Sequence, residues 1–405
     1  MKLGSPATGD DFFGRTQEMQ DLWRYLETDH IRFPGVRRLG KTSILRRLEV
    51  DAAGYGLLAK WLDVSGIDSA QGFVALLDQA FPDKSIRSFI DNMTQRAKDW
   101  IRNVRKLNVT LPHEAGGVGL GIELRGETAP EWQKAADDLH KRLCDQPLLI
   151  LLDEFPKMLE KLVQQDRQEA EKFLAWLRIW RQTSGTCRFV FTGSIGLQSL
   201  LERYGLGETM NDCYAYPLGP YNPDEARGLW RHVVSVADDL PWAVDESVIE
   251  HALKRTGWLS PYFLCLLLDE SMRAVRARRQ ECATDATDEA RIEIEDVDDA
   301  YENLLAERSR FHHWEKRLKC SFESSDLDFC LSVLTHLSQH AEGLTLGQLS
   351  SRMSRREPDP DRCAERVQDL LVRLTDEGYT SSPDGSGRVQ FLSFLLRDWW
   401  SRNHV

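Results

Sequence analysis

Short apolar runs alternate with helix-type patterns through the first half of the chain, from Phe12 to about Pro220. A short, continuous apolar run is typical of a strand buried in a parallel sheet. The 3.6-residue periodicity between the runs is typical of helices that cover the faces of the sheet. The pattern therefore predicts an α/β domain. Its strands are expected at Ile31–Phe33, Leu57–Leu62, Leu148–Leu152, Arg188–Thr192 and Tyr214–Leu218.

The pattern changes twice in the second half of the chain. From Asn222 to Leu305 apolar residues recur at helical spacing, with a loop expected in the acidic stretch near Glu281–Glu289. From Leu327 three helical segments lead into two short strands around a Pro-Asp-Gly turn and a last helix, which is typical of a winged helix. The helical segments are Leu327–Leu337, Leu346–Met353 and Arg362–Glu377. The last helix carries Leu395, Leu396, Trp399 and Trp400. We expect it to dock against the preceding helical region or the α/β domain; the alternative is that it only completes the winged helix's own core.

An insertion of about residues 83–126 separates the second and third strands. It predicts an amphipathic helix over Ile86–Val104 and then a hairpin at residues 107–124. The GGVGLG string in the hairpin lacks the strand-to-helix context of a dinucleotide site and is interpreted as a turn. The insertion helix is basic, with Lys84, Arg87, Arg96, Lys98, Arg102, Arg105 and Lys106.

Composition narrows the class of protein. The 405 residues carry a formal charge of −12, which argues against broad attraction to nucleic acid or anionic membrane. Eight cysteines are scattered singly, which favours reduced thiols in the cytoplasm. No secretory signal or apolar run of membrane-spanning length is recognised, so no membrane partner is expected.

Residues 35–42 read GVRRLGKT, which satisfies every fixed position of the phosphate-binding pattern G-x-x-x-x-G-K-T. Such a loop turns its backbone N–H groups toward the phosphates, and the following helix adds the positive end of its dipole. Lys41 is expected at the β/γ-phosphates and the Thr42 hydroxyl at Mg²⁺. The remaining expected nucleotide-binding residues of this loop, called the P-loop below, are Gly35, Arg37, Arg38, Leu39, Gly40 and Ser43.

Two further strands deliver polar side chains to the edge of the sheet where ligands bind in α/β folds. LLILLDEF places Asp153 there as the expected Mg²⁺ partner and Glu154 as the expected base that polarises the attacking water. RFVFTGSIG brings Thr192 and Ser194, either of which is expected to bond that water or the γ-phosphate. The alternative in each case is an ordinary strand end with solvated acids or turn residues.

With these motifs in place, the chain resembles the archaeal-ATPase-like group of STAND proteins, within the AAA+ class of P-loop NTPases. The resemblance runs over nearly the whole length. The matching strings are DFFGR (11–15), GVRRLGKTS (35–43), LLDEFPKML (151–159), FTGSIGL (191–197), GWLSPYFLCLLL (257–268) and FLSFLLRDWW (391–400).

The resemblance implies a P-loop ATPase core at 1–220 with strand order 5-1-4-3-2, a helical lid at 221–318 and a winged-helix domain at 319–405. It implies adenine contacts for Phe13, Gly14 and Arg15, and a lid contact to the nucleotide at Pro261. Pro34 departs from the family pattern and predicts an early end to the first strand. The sequence does not decide which of Arg37, Arg38, Arg178 and Arg181 would serve as the arginine finger.

Two functions fit this sequence. The first is an ATP-binding and ATP-hydrolysing molecular switch that regulates a partner protein, alone or as a homo-oligomer. The second is a DNA-handling AAA+ ATPase of the origin-recognition or transposition-helper type, which would use the winged helix or the basic insertion. Residues 320–405 carry nine Arg and no Lys against thirteen Asp and Glu, a balance that disfavours phosphate attraction by the winged helix.

Overall fold

The computed structural model describes residues 6–34, 36–94, 98, 131–193, 196–237, 239–281, 288–322 and 324–404. The chain divides into two compact units. The sheet unit comprises Arg15–Gly35 and Lys41–Leu218, and the helical unit comprises Met1–Gly14, Val36–Gly40 and Gly219–Val405.

The sheet unit is built on five parallel strands in the order β5-β1-β4-β3-β2, which is the predicted order 5-1-4-3-2. Every residue of the third strand is buried, which is why its apolar run shows no alternation. The strands are β1 (His30–Arg32), β2 (Leu58–Asp63), β3 (Leu148–Asp153), β4 (Arg188–Phe191) and β5 (Cys213–Ala215).

All five predicted strands are present, and prolines set the ends of two of them. β1 ends at Arg32, as the sequence predicted from Pro34. The backbone N–H of Phe33 donates to the Phe191 carbonyl of β4, and Pro34 has no N–H with which to continue. β5 ends at Ala215, earlier than the predicted Leu218. Tyr216 still donates to the Arg32 carbonyl, but Pro217 has no N–H with which to continue the ladder.

Helices cover the sheet. They are α1 (Thr16–Tyr25), α2 (Lys41–Asp51), α3 (Ala70–Ala80), α4 (Asp83–Asp91), α5 (Glu131–Leu143), α6 (Phe155–Gln165), α7 (Arg167–Thr183) and α8 (Leu197–Arg203), with 3₁₀ turns at Ala52–Tyr55 and Gly207–Met210. The apolar stripes of α3 to α8 pack with β3 and β4 into one core that includes Phe73, Phe155, Phe173 and Trp180.

The predicted single insertion helix from Ile86 to Val104 is interrupted, because α4 begins at Asp83 and ends at Asp91; residues 95–97 and 99–104 lie outside the described residues. Asn92 leaves the helical conformation at φ −91° and ψ 4°. Its side-chain amide donates to the Ser88 carbonyl at 2.8 Å, which satisfies an acceptor of the last turn. The predicted hairpin at residues 107–124 lies outside the described residues.

The helical unit contains nine of the described helices and two small sheets. Its helices are α9 (Pro223–Val236), α10 (Glu246–Thr256), α11 (Pro261–Glu281), α12 (Ile294–Ala306), α13 (Arg308–Ser321), α14 (Ser324–Ser338), α15 (Leu346–Met353), α16 (Pro360–Asp376) and α17 (Phe394–His404), with a 3₁₀ turn at Gly9–Asp11. Its strands are β6 (Trp242–Val244) parallel to β7 (Ala290–Ile292), and β8 (Leu344–Thr345) antiparallel to β9 (Arg388–Val389).

The C-terminal helices lie where the pattern predicted them, but the strands pair differently. The predicted hairpin closes with a single antiparallel bridge between Thr380 and Phe391, and β9 pairs with β8. The β6–β7 sheet was not predicted, since three-residue strands are too short to show a period.

The last helix, α17, packs against more than the C-terminal segment. Leu395, Leu396, Trp399 and Trp400 are at most 2% exposed. The helix lies against α10 and α12 as well as α14, and the Tyr301 hydroxyl of α12 donates to Asp398 at 2.7 Å. Of the two expectations for this helix, docking on the preceding helical region is therefore observed.

Two expectations from composition concern thiols and membranes. The six described cysteines are free, and Cys187, Cys213, Cys330 and Cys363 are buried. Burial raises the pKa of Cys213 to about 12, so this thiol stays protonated. None of the described helices is long and apolar enough to cross a lipid bilayer.

Candidate nucleotide and cation site

Asp153 is the centre of the candidate site in the sheet unit. It is the last residue of β3 and is 6% exposed. Its Oδ2 accepts the Thr42 hydroxyl at 2.7 Å, and its Oδ1 accepts the Thr192 hydroxyl at 2.6 Å. The structure thus brings together three of the residues that the sequence assigned to this edge.

The topology explains this meeting. β3 and β4 are adjacent and parallel, with Leu152 opposite Phe191, so Asp153 and Thr192 leave the sheet side by side. Thr42 is the second residue of α2, which packs against β2 and β3. Because carboxyl ends of parallel strands share one edge, polar residues placed there converge.

The carboxylate of Asp153 accepts its hydrogen bonds from neutral groups of the described residues. In the part of the chain that the structure describes, every hydrogen-bond donor to its carboxylate is neutral, and none of the ion pairs includes it. These donors are Thr42, Thr192, the Glu154 backbone N–H at 3.1 Å and the Trp61 indole N–H at 3.4 Å. A buried carboxylate is costly without a compensating charge, and carboxylate and hydroxyl oxygens are the ligands that Mg²⁺ prefers. The donor set therefore fits a hard divalent cation beside Thr42 and Asp153.

Glu154 follows Asp153 at the start of α6 in a left-handed conformation, with φ at 57°. This conformation is uncommon for a residue with a side chain and marks a constrained position. The neighbouring strand exit is constrained too, since a Cβ on Gly193 would lie 2.3 Å from Cδ of Pro156. The chain therefore holds the half-buried Glu154 at the same sheet edge as Asp153.

The middle of the P-loop groups with the helical unit, where Arg38 makes three specific contacts. Its guanidinium lies 4.0 Å from the centre of the Tyr262 ring and 3.0 Å from Nε2 of His313. Its carbonyl accepts the Ser260 hydroxyl at 2.6 Å. Burial, together with nearby Arg317, lowers the pKa of Arg38 from its ordinary value. Arg38 is thus tied to the segment around Pro261, which itself is the first residue of α11.

The loop's backbone has the shape that its sequence requires. Arg38 has φ at 68° and Gly40 has φ at 89°, so the chain turns twice through the left-handed region before α2 begins at Lys41. A side chain at Gly40 would be strained in this conformation. Lys41 and Leu39 are buried, whereas Arg37 is half-buried.

The residues expected near adenine adopt defined positions. In the helical unit, Phe13 stacks on His232 with ring centres 5.0 Å apart, and its carbonyl accepts the Tyr221 hydroxyl at 2.7 Å. Gly14 has φ at 68°. In the sheet unit, Arg15 is buried and pairs with Glu18 at 2.6 Å. Their contact with a base stays a prediction.

The remaining residues that the sequence assigned to the site are placed as follows. Gly35 and Ser194 lie outside the described residues, so Thr192 is the hydroxyl of that pair that the structure places. Ser43 lies in the first turn of α2. Among the arginine-finger candidates, Arg181 is buried and forms two bonds of 2.8 Å with Asp212, which indicates a structural role. Trp61 was missed, since only the strand register reveals its contact with Asp153.

Comparisons with known proteins agree with this geometry at the level of the fold. No family model matches the chain, and no curated protein matches it. A Walker-type ATPase of Pyrococcus abyssi is similar in structure, with a TM-score of 0.60 at 14% identity over 98% of this chain and 99% of that chain. The ORC2 protein of Aeropyrum pernix, solved as ADPNP–ADP complexes, gives a TM-score of 0.54 at 16% identity over 96% of this chain and 92% of that chain. The chain therefore shares its α/β fold, with five parallel strands, with these two proteins.

Proposed function

We propose that the protein binds and hydrolyses ATP with Mg²⁺ at the P-loop and the carboxyl edge of β3. The observation that carries this proposal is the 2.7 Å hydrogen bond from Thr42 to Asp153. Because the Thr42 hydroxyl donates its hydrogen bond to the carboxylate, the lone pairs of its oxygen are left for a cation. Mg²⁺ would supply charge neutralisation for the β- and γ-phosphates.

The other residues then take complementary roles. The P-loop backbone amides and Lys41 would bind the phosphates. Glu154, at the constrained start of α6, would accept a proton from the attacking water. Thr192 holds Asp153 in place through its 2.6 Å hydrogen bond, and its contact with water or the γ-phosphate is a further part of the proposal.

We further propose that nucleotide binding operates a switch of the STAND type, with residues 221–318 as lid and 319–405 as winged helix, which regulates a partner protein. The contacts of Arg38 support this. Arg38, inside the P-loop, is hydrogen-bonded to Ser260, which directly precedes α11, and to His313 in α13. A change in the conformation of the loop would therefore alter the contacts of both helices. The buried α17 links this region to the end of the chain, because Phe394 contacts Gly257.

Hydrogen–deuterium exchange with and without ATP–Mg²⁺ tests the switch. We expect saturating nucleotide to change protection in α13, and we expect Arg38→Met to remove that change. The methionine keeps an apolar stem but loses the bond to His313 and the charge over Tyr262. An α13 that exchanges identically in both nucleotide states of the wild-type protein contradicts the switch.

One observation favours DNA handling as a second candidate function. Among the described ion pairs, four acids of residues 324–404 are paired with arginines: Asp326, Glu357, Glu377 and Asp398. Arg352, Arg355 and Arg356 are exposed and pair with no carboxylate among the described residues. Nε2 of His340 accepts a hydrogen bond from Arg352 at 2.9 Å, which helps to hold this guanidinium at the surface. A module that is acidic on average thus presents a local surface suited to phosphates.

Gel-shift titration at two salt concentrations tests this candidate. Replacing Arg352, Arg355 and Arg356 together by Gln should weaken DNA binding and reduce the salt slope by about 2–3. Arg362→Gln is the matched control, since Arg362 is already paired with Glu357 at 3.4 Å. Binding that is absent in the wild-type protein, or equal in the triple variant, eliminates this function for the cluster.

A further inference from the structure

Trp61 lies in β2, outside every motif that the sequence analysis recognised, and its side chain contacts Asp153. Trp61 is opposite Leu151 in the parallel β2–β3 pair. Leu151 and Asp153 are two residues apart in one strand, so they face the same side of the sheet as Trp61. The indole N–H of Trp61 donates to Oδ2 of Asp153 at 3.4 Å.

The same oxygen, Oδ2, also accepts the hydrogen bond from the Thr42 hydroxyl. With Trp61 and Thr42 both donating to Oδ2, and Thr192 and the Glu154 amide donating to Oδ1, each carboxylate oxygen has two donors. Four donors in different directions leave the carboxylate a single orientation. The Thr42 proton is consequently directed at Asp153, and its lone pairs are directed away from it.

The indole is itself held by α2, the helix that begins at the P-loop lysine. The guanidinium of Arg46 lies 3.5 Å from the centre of the Trp61 ring, a cation–π distance. Arg46 pairs with Glu49 at 3.2 Å, and Glu49 accepts the backbone N–H of Trp61 at 3.0 Å. The ring is therefore held from the helix side while its N–H reaches the carboxylate.

We propose that Trp61 is a positioning residue of the cation site, which fixes Asp153 so that Thr42 presents its lone pairs to the divalent cation. This inference rests on the proposed function, because it assigns Trp61 to the same Mg²⁺ site. Trp61 acts through Asp153 and Thr42, so its loss weakens cation binding and leaves the affinity for metal-free nucleotide unchanged.

The test compares Trp61→Phe with Trp176→Phe. Phenylalanine removes the N–H and keeps an aromatic ring. Trp176 is a matched control because its buried indole N–H has no hydrogen-bond partner among the described residues. The readouts are the Mg²⁺ concentration for half-maximal thermal stabilisation at fixed ATP, and ATP affinity in EDTA. Trp61→Phe should raise the Mg²⁺ midpoint about three- to tenfold, the scale for one ordinary hydrogen bond, because the 3.4 Å contact is long. Trp176→Phe should leave it unchanged.

The outcomes separate this inference from the proposed function. A wild-type protein that shows no Mg²⁺-dependent nucleotide stabilisation overturns both. A wild-type response with an unchanged midpoint in Trp61→Phe, or an equal loss in EDTA, overturns the role of Trp61 alone. If Trp61→Phe does not fold, Arg46→Met removes the cation over the ring and keeps every donor to Asp153. It should raise the midpoint about two- to threefold, and an unchanged midpoint there also overturns the role.

Discussion

Replacement of Thr192 by valine tests whether the buried carboxylate of Asp153 depends on its neutral donors. Thr192 is 2% exposed and donates to Oδ1 at 2.6 Å. A hydrogen bond to a charged group is worth roughly 1.5–3 kcal/mol, and the extra methyl group of valine returns up to about 0.8 kcal/mol. We therefore expect Thr192→Val to lower the free energy of unfolding by about 1–2 kcal/mol without cation. Urea unfolding measures this change, which should shrink when ATP–Mg²⁺ is present.

A control variant and a double-mutant cycle separate the Thr192–Asp153 hydrogen bond from other effects of the substitution. Thr186→Val is the matched control, because Thr186 is equally buried at 2% exposure but donates to the backbone carbonyl of Asp145 at 3.0 Å. Its cost should be smaller, and it should not respond to cation. In a double-mutant cycle with Asp153→Asn, the coupling energy should reach about 1 kcal/mol. Additive costs for Thr192→Val and Asp153→Asn would refute the reasoning.

Three further predictions concern the fold and the chemistry. Burial, with nearby Arg188, lowers the pKa of His30 to about 3, so its neutral form stabilises the fold above pH 6.5 and that stability is lost as the pH falls. From pH 7 to pH 5 the wild-type protein should lose about 2 kcal/mol more unfolding free energy than His30→Gln, and equal slopes would contradict this. Trp399→Ala should cost about 3–5 kcal/mol in denaturant unfolding, since Trp399 is 2% exposed beside Phe311; a cost below 1 kcal/mol would contradict its burial. Glu154→Gln should bind ATP normally but release phosphate about 10²–10⁴ times more slowly, and wild-type turnover would place the base elsewhere.

The sheet and the polar residues at its carboxyl edge could be predicted, because the strands show as short apolar runs and the polar residues directly follow such runs. Five residues of β3 are apolar in succession, which is what burial on both faces of a parallel sheet requires. Asp153 follows that run, and the chain places Thr192 after the next buried strand. Since parallel strands end at one edge, the proximity of these residues follows from topology alone.

The contacts that refine the site depend on register and on distant parts of the chain. Trp61 reaches Asp153 because it is paired with Leu151, and one step of register would turn its side chain to the other face. Arg38 binds His313, which is 275 residues away in sequence. The predicted insertion helix is also interrupted after Asp91, where the side chain of Asn92 donates to the Ser88 carbonyl, and helical periodicity does not report such local bonds.

The central claim, that the P-loop binds ATP with Mg²⁺, is tested most directly by calorimetric titration of the wild-type protein beside Lys41→Ala. Lys172→Ala is the matched control, because Lys172 is exposed on α7. We predict that the wild-type protein and Lys172→Ala bind ATP–Mg²⁺ with equal affinity. In both, a ligand concentration of 100 times Kd should raise the free energy of unfolding by about 2.7 kcal/mol. Lys41→Ala should remain folded and show no binding. Equal affinity in Lys41→Ala, or no binding by the wild-type protein, would contradict the account.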